Sequence, residues 1–124
     1  MRPEAWVEQA EYDMDAAQLM YDGRCYPYAV FMCHLAIEKA LKGLYQRKLG
    51  TTPPRTHNLV YLMARLDLEP GEEQARFVAL LSEAHAATRY PQDLEALRGY
   101  YTEPVAQEML SNRRSILAWI KAKC

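Results

Sequence analysis

The residues best suited to chemistry are six cations crowded into one segment: Lys39, Lys42, Arg47, Lys48, Arg55 and Arg65, with no acid between Lys39 and Leu66. Lysine and arginine neutralise phosphates, and tyrosines such as Tyr45 and Tyr61 in the same segment offer faces on which bases stack. The segment therefore reads as a nucleotide- or RNA-phosphate surface. A plainer account is equally open. Several of these cations fall near the C-terminal end of a long helix, where positive charge complements the helix dipole. Glu38 and Lys42 stand four apart, acid first, the favourable order for a helix pair; on a surface such a pair contributes a few tenths of a kcal/mol. The opposite charge gathers at the N-terminus, where the first 22 residues hold six acids and Arg2 as their one base. Asp13 is the acid of interest there, because it lies beside an apolar stripe.

Other chemistries find little footing. The glycines are single and scattered, so no phosphate-cradling loop forms, and Ser82, Ser111 and Ser115 have no nucleophile elbow around them. The three cysteines, Cys25, Cys33 and Cys124, are odd in number and read as reduced thiols of a cytoplasmic protein. Cys33 and His34 are neighbours that diverge by about 100° on a helix, and His57 and His85 lie far away in sequence. No metal and no cofactor is expected on these grounds.

The elements that must position these residues are helices. From Pro3 to Asp22, Trp6, Ala10, Met14, Ala17 and Tyr21 recur at spacings of three and four, the mark of a buried stripe, and Gly23 stops the run. A second helix spans Tyr26 to Leu49 and ends at Gly50; between Tyr28 and Ile37 it is apolar almost all round, which predicts neighbours on several sides. The surplus apolar surface also makes this helix the expected dimer face. After the rigid Pro53-Pro54 loop, Thr56 is the expected cap of a short helix from His57 to Leu66. A fourth helix covers about Glu72–Ala87 with Phe77, Leu80, Leu81, Ala84 and Thr88 inward. A short stretch bearing Leu94, Leu97, Tyr100 and Tyr101 follows. The last helix starts at the Thr102 cap with Pro104 just inside, and Val105, Met109, Asn112, Ile116, Trp119 and Ile120 form its face. No segment alternates with the period of a strand.

Size and composition agree. At 124 residues, 50% hydrophobic and 25% charged, the chain is long enough to bury a core and too apolar to be disordered. No apolar run approaches the ~20 residues of a membrane span, and with acids spread along the first helix no signal peptide is expected. The expected architecture is one all-α domain over 1–124, an up-and-down bundle of four to five helices around a long second helix.

Placed in this frame, several motifs resemble one family. The run Leu35-Ala36-Ile37-Glu38-Lys39-Ala40-Leu41-Lys42, preceded by Tyr26, Ala29 and Phe31, is similar to the central helix of HEPN domains (higher eukaryotes and prokaryotes nucleotide-binding). Pro54-Arg55-Thr56-His57-Asn58-Leu59 follows it as in the family, then Arg89-Tyr90-Pro91, with Asp13 on the first helix. The resemblance covers nearly the whole chain. It implies a small helical bundle, commonly a homodimer or a higher even oligomer, and often the companion of a minimal nucleotidyltransferase in a toxin–antitoxin-like pair. It also implies that Lys39, Lys42, Arg55, His57, Arg89 and Tyr90 contact a nucleotide or RNA, supported by Asp13 and Glu38. Ribonuclease members carry an Arg and a His separated by four to six residues. Here Leu94, Glu95 and Ala96 occupy the positions at that distance from Arg89, and no histidine follows His85. Likewise, His34-Leu35 stands where relatives often carry two glutamines. These departures favour a binding module over an enzyme. The alternative is a metal-independent ribonuclease with His57 and Arg89 at a dimer cleft.

Overall fold

A computed structural model of the chain describes residues 2–89 and 93–123, with Ala86, Arg89, Arg113 and Arg114 given by backbone alone. Six helices and no strand occur among them: α1 (Pro3–Asp22), α2 (Tyr26–Leu49), α3 (Leu59–Arg65), α4 (Glu72–Arg89), α5 (Leu94–Tyr100) and α6 (Glu103–Lys121). The four long helices make the bundle, and α3 and α5 are short connecting pieces of seven residues each. The two longest helices begin as sequence chemistry dictates, with proline in the first turn. Gly50 closes α2 in the left-handed conformation (φ 66°) and returns its N–H to the Gln46 carbonyl. At the end of α1 the left-handed residue is Arg24 (φ 64°), while the cap Gly23 stays at negative φ.

The α1–α2 hairpin is antiparallel. The start of α1 lies beside the end of α2, as shown by Trp6 Nε1 donating to Gln46 Oε1 (3.0 Å) and by Arg47 pairing with Glu4 (2.7 Å). Gly43 permits this approach: a Cβ there would stand 2.9 Å from Trp6 Cβ and 3.1 Å from the Pro3 carbonyl oxygen. At the far end the Tyr21 hydroxyl donates to Glu103 and ties α1 to the start of α6.

The core is centred on α2, which packs against α1, α6, α4, α3 and α5. Val30, Cys33, Ala36, Ile37, Ala40, Leu41 and Leu44 are fully buried there, against Leu59 and Leu62 of α3, Leu81 of α4, and Ile116 and Ile120 of α6. Much of the apolar surface expected at a dimer face of α2 is thus buried inside the chain, although Tyr28 and Leu49 of this helix are exposed. The exposed large apolar side chains lie mainly elsewhere, among them Tyr12 and Leu19 on α1, Val60 and Tyr61 on α3, and Leu94 and Tyr100 on α5.

Three local expectations are corrected. Asn58, not Thr56, caps α3, accepting the Tyr61 N–H through Oδ1 at 3.0 Å, while Thr56 Oγ1 accepts the Asn58 N–H. On α4, Val78 is buried and Leu80 is 39% exposed, so the inward stripe runs Phe77, Val78, Leu81, Ala84, His85, Thr88. On α6, Asn112 is exposed, and Ala106, Leu110 and Leu117 take the inner places beside Met109, Ile116 and Ile120. No helix among the described residues is long and apolar enough to cross a membrane.

Candidate functional site: a histidine–glutamate–lysine cluster

His34, Glu38 and Lys42 follow one another at intervals of four on α2 and share one helix face. All three are buried. Lys42 Nζ donates to Glu38 Oε2 at 3.1 Å, with the lysine side chain 10% and the glutamate 6% exposed. The expected surface pair is therefore a buried one. Two charges taken out of water together are stable only while each retains the other, so the loss of either partner is costly.

The second carboxylate oxygen turns to the loop that follows α2. His57 Nδ1 lies 2.8 Å from Glu38 Oε1; a carboxylate only accepts, so the imidazole nitrogen donates. The His57 side chain remains 47% exposed. Its loop is fixed from both ends: Pro53 is buried, and the Leu59 N–H donates to Ser82 Oγ of α4 (3.2 Å). The His57 carbonyl accepts a hydrogen bond from His34 Nε2 at 2.9 Å. That bond fixes the proton on Nε2 and leaves a lone pair on Nδ1, which lies 3.8 Å from Glu38 Oε1. Burial pushes the His34 pKa down to about 4, against the opposing effects of the His57 carbonyl and Glu38.

The third histidine comes from α4. The His85 ring stacks on His57 (centroids 4.3 Å apart, 22° between planes), tilts against His34 (4.5 Å) and stacks on Phe31 (5.6 Å). All three histidines of the chain thus meet at one place, although 51 positions separate the first from the last. Sequence distance hid this, yet two signals pointed to it. His34 falls on the Glu38–Lys42 repeat, and His85 continues the inward stripe of α4.

The other expected site residues divide. Lys39 turns to α1 and lies 2.8 Å from Asp13 Oδ2, an ion pair that lacks hydrogen-bond alignment. Asp13 is buried, and through Lys39 it links α1 to α2. Lys39 and Lys42 therefore serve different carboxylates on different faces of α2. Arg55 is exposed two positions before His57, with no ion-pair partner among the described residues. Arg89 ends α4 one turn after His85; its side chain and the whole of Tyr90 lie outside the described residues. Cys25 is exposed and Cys33 buried, and neither is in a disulfide.

Comparison with known proteins bears on the same residues. The HEPN domain profile matches residues 3–123. TT1696 from Thermus thermophilus is 29% identical, with a TM-score of 0.84, and the match covers 99% of this chain and 98% of that one. ST0689, an archaeal HEPN homologue, is 30% identical with a TM-score of 0.81 over the same shares of the two chains. No curated protein matches. The profile runs through α1 to α6, and it includes every described member of the cluster, so this chain belongs to the HEPN domain family.

Proposed function

We propose that this HEPN domain is a nucleotide- or RNA-phosphate-binding module that acts with a minimal nucleotidyltransferase in a toxin–antitoxin-like pair, and that Arg55 and His57 make the phosphate contact. The observation that carries this reading is the half-exposed His57 ring, braced from behind by Glu38 and His85, beside an Arg55 that has no acid to engage it among the described residues. An imidazole and a guanidinium on one short loop suit an anionic oxygen. Lys42 and Lys39 assist from inside: by neutralising Glu38 and Asp13 they keep uncompensated negative charge away from an incoming phosphate. Arg89, which ends α4 one turn after His85, and Tyr90, the next residue in the sequence, complete the proposed contact set. Exposed Tyr12 and Leu19, seven apart on one face of α1, support self-association.

Calorimetric titration with ATP, a nucleotide mixture and a short single-stranded RNA tests the ligand. Arg55→Ala and His57→Ala are each expected to weaken binding about tenfold, the effect of losing roughly one charge-assisted contact. Absence of binding at millimolar concentration overturns the reading. Co-purification with a co-expressed nucleotidyltransferase tests the partner.

One observation favours a second reading. A carboxylate holding Nδ1 of a half-exposed imidazole is the arrangement of an oriented general base. As a metal-independent ribonuclease the protein would cleave single-stranded RNA in EDTA, and both His57→Ala and Arg89→Ala would abolish the cleavage.

A further inference from the structure

The phosphate reading leaves His34 and His85 without a role beyond support, yet they and Glu38 converge. One ligand atom from each of His34, Glu38 and His85 lies within 4.8 Å of the other two, and all three residues are buried. Nδ1 of His34 has no hydrogen-bond partner among the described residues. Its lone pair faces Glu38 Oε1 across 3.8 Å. Two electron-rich atoms facing each other away from water are an unfavourable arrangement until a positive charge enters between them. Lys42 does not supply it, since its bond runs to the other carboxylate oxygen, and the His57 N–H that reaches Oε1 leaves the His34 lone pair unengaged.

We propose that His34 Nδ1, Glu38 Oε1 and a ring nitrogen of His85 bind a divalent transition-metal ion, Zn2+ by preference. Two imidazoles and one carboxylate are a donor set for borderline metals, not for Mg2+ or Ca2+, which take oxygen ligands. Ligands at about 2.0–2.2 Å from a tetrahedral ion sit roughly 3.3–3.6 Å from one another. The 3.8 Å pair is thus almost in place, and the atoms of the whole set, within 4.8 Å of one another, close by up to about 1.2–1.5 Å. The outer supports that metal sites need are present. His34 donates its other nitrogen to a backbone carbonyl, and Glu38 is held at one oxygen by Lys42 and at the other by His57. The half-exposed His57 ring stands at the outer edge of the cluster, bonded to Glu38 and stacked on His85. The site shares Glu38 and His85 with the phosphate reading, in which they brace His57, but neither Arg55 nor a nucleotide takes part in it.

The test uses the full chain with Cys25→Ser and Cys124→Ser, which removes the exposed thiol and the terminal one, stripped with EDTA. Zn2+ is titrated in competition with a chromophoric chelator, and Co2+ is added separately for its visible spectrum. The expected result is one ion per chain, with a Kd in the micromolar range or tighter and a Co2+ spectrum of nitrogen and oxygen ligation. His34→Ala and His85→Ala are expected to weaken binding about 100-fold or more, since loss of even a supporting group outside the ligands costs up to about that much. Arg47→Ala, remote on the surface, is expected to leave it unchanged. Circular dichroism reports whether each variant folds, and Glu38→Gln provides a near-isosteric third removal. Failure of the parent chain to bind Zn2+ below about 100 µM overturns the proposal whatever the variants do. So does unchanged affinity in a folded His85→Ala chain, or a thiolate signature in the Co2+ spectrum. The nucleotide titrations, run in EDTA, succeed or fail separately.

Discussion

His34 Nε2 and the backbone carbonyl of His57 lie 2.9 Å apart, and this bond joins the buried middle of α2 to the loop that carries the exposed imidazole. Because the carbonyl only accepts, the same bond sets the His34 tautomer. Replacing His34 by Leu keeps the volume apolar but strands the His57 carbonyl. The expected cost is about 1–3 kcal/mol, the range for a buried polar group left unsatisfied. Hydrogen exchange is expected to rise for amides of residues 56–59 while α2 stays protected. Urea denaturation and exchange mass spectrometry check the two parts, and unchanged exchange in the loop would mean that the bond does not hold it.

His34 also gives the metal-free protein a pH-dependent stability. Its ordinary pKa is 6.5 and its folded value is about 4. Between those values the unfolded chain takes up a proton that the folded chain refuses, so stability falls as pH falls through that window and is fully present above it. The size is on the order of 2–3 kcal/mol across the window. Urea midpoints measured in EDTA from about pH 7.5 to about pH 4.5 should drop, and His34→Leu should remove most of that slope relative to the parent chain. Parallel curves for the two proteins would refute the assignment.

Helix boundaries were legible because they rest on local chemistry. Pro3, Pro27 and Gly50 act through the backbone alone, and α1 and α2 begin and end where they require. The start of α3 was less so, because Thr56 and Asn58 are both good caps and only packing selects between them. Inward faces were legible in part. Leu80 and Val78 compete for one stripe, and the packing of α4 buries Val78 and leaves Leu80 39% exposed. The site was the least legible. The Glu38–Lys42 spacing is visible in sequence, but its burial comes from α1, α3 and α4 closing over α2. The meeting of His34, His57 and His85 depends on three segments far apart in the chain, and no local pattern reports such a distance.

The buried Glu38–Lys42 pair yields a prediction of coupling. Lys42→Met leaves Glu38 with a buried charge and is expected to destabilise by about 3 kcal/mol. Glu38→Gln is expected to cost a similar amount, since it strands Lys42 and weakens the bond to His57. The double variant should recover much of the loss, with a favourable interaction energy of about 1–3 kcal/mol in a double-mutant cycle. Chemical denaturation of the four proteins measures it. Strict additivity would show that the two groups do not depend on each other.

Gly43 offers the sharpest test of the α1–α2 packing. In an exposed helix interior, Gly→Ala stabilises by about 1 kcal/mol through helix propensity. Here the added methyl would meet Trp6 Cβ at 2.9 Å and the Pro3 carbonyl at 3.1 Å, both close to the backbone of α1 and unable to swing aside as a side-chain tip would. Relief requires the first turn of α1 to lift. That turn carries the Trp6–Gln46 hydrogen bond and lies beside Lys42, whose Nζ is 6.0 Å from the Trp6 ring centre. Overpacking of this kind costs typically about 1–3 kcal/mol, so it outweighs the propensity gain and leaves Gly43→Ala net destabilising by about 1–2 kcal/mol. Trp6 fluorescence should shift toward that of a more solvated indole at the same time. A stabilised variant with unchanged emission would mean that α1 sits farther from α2 than this packing requires.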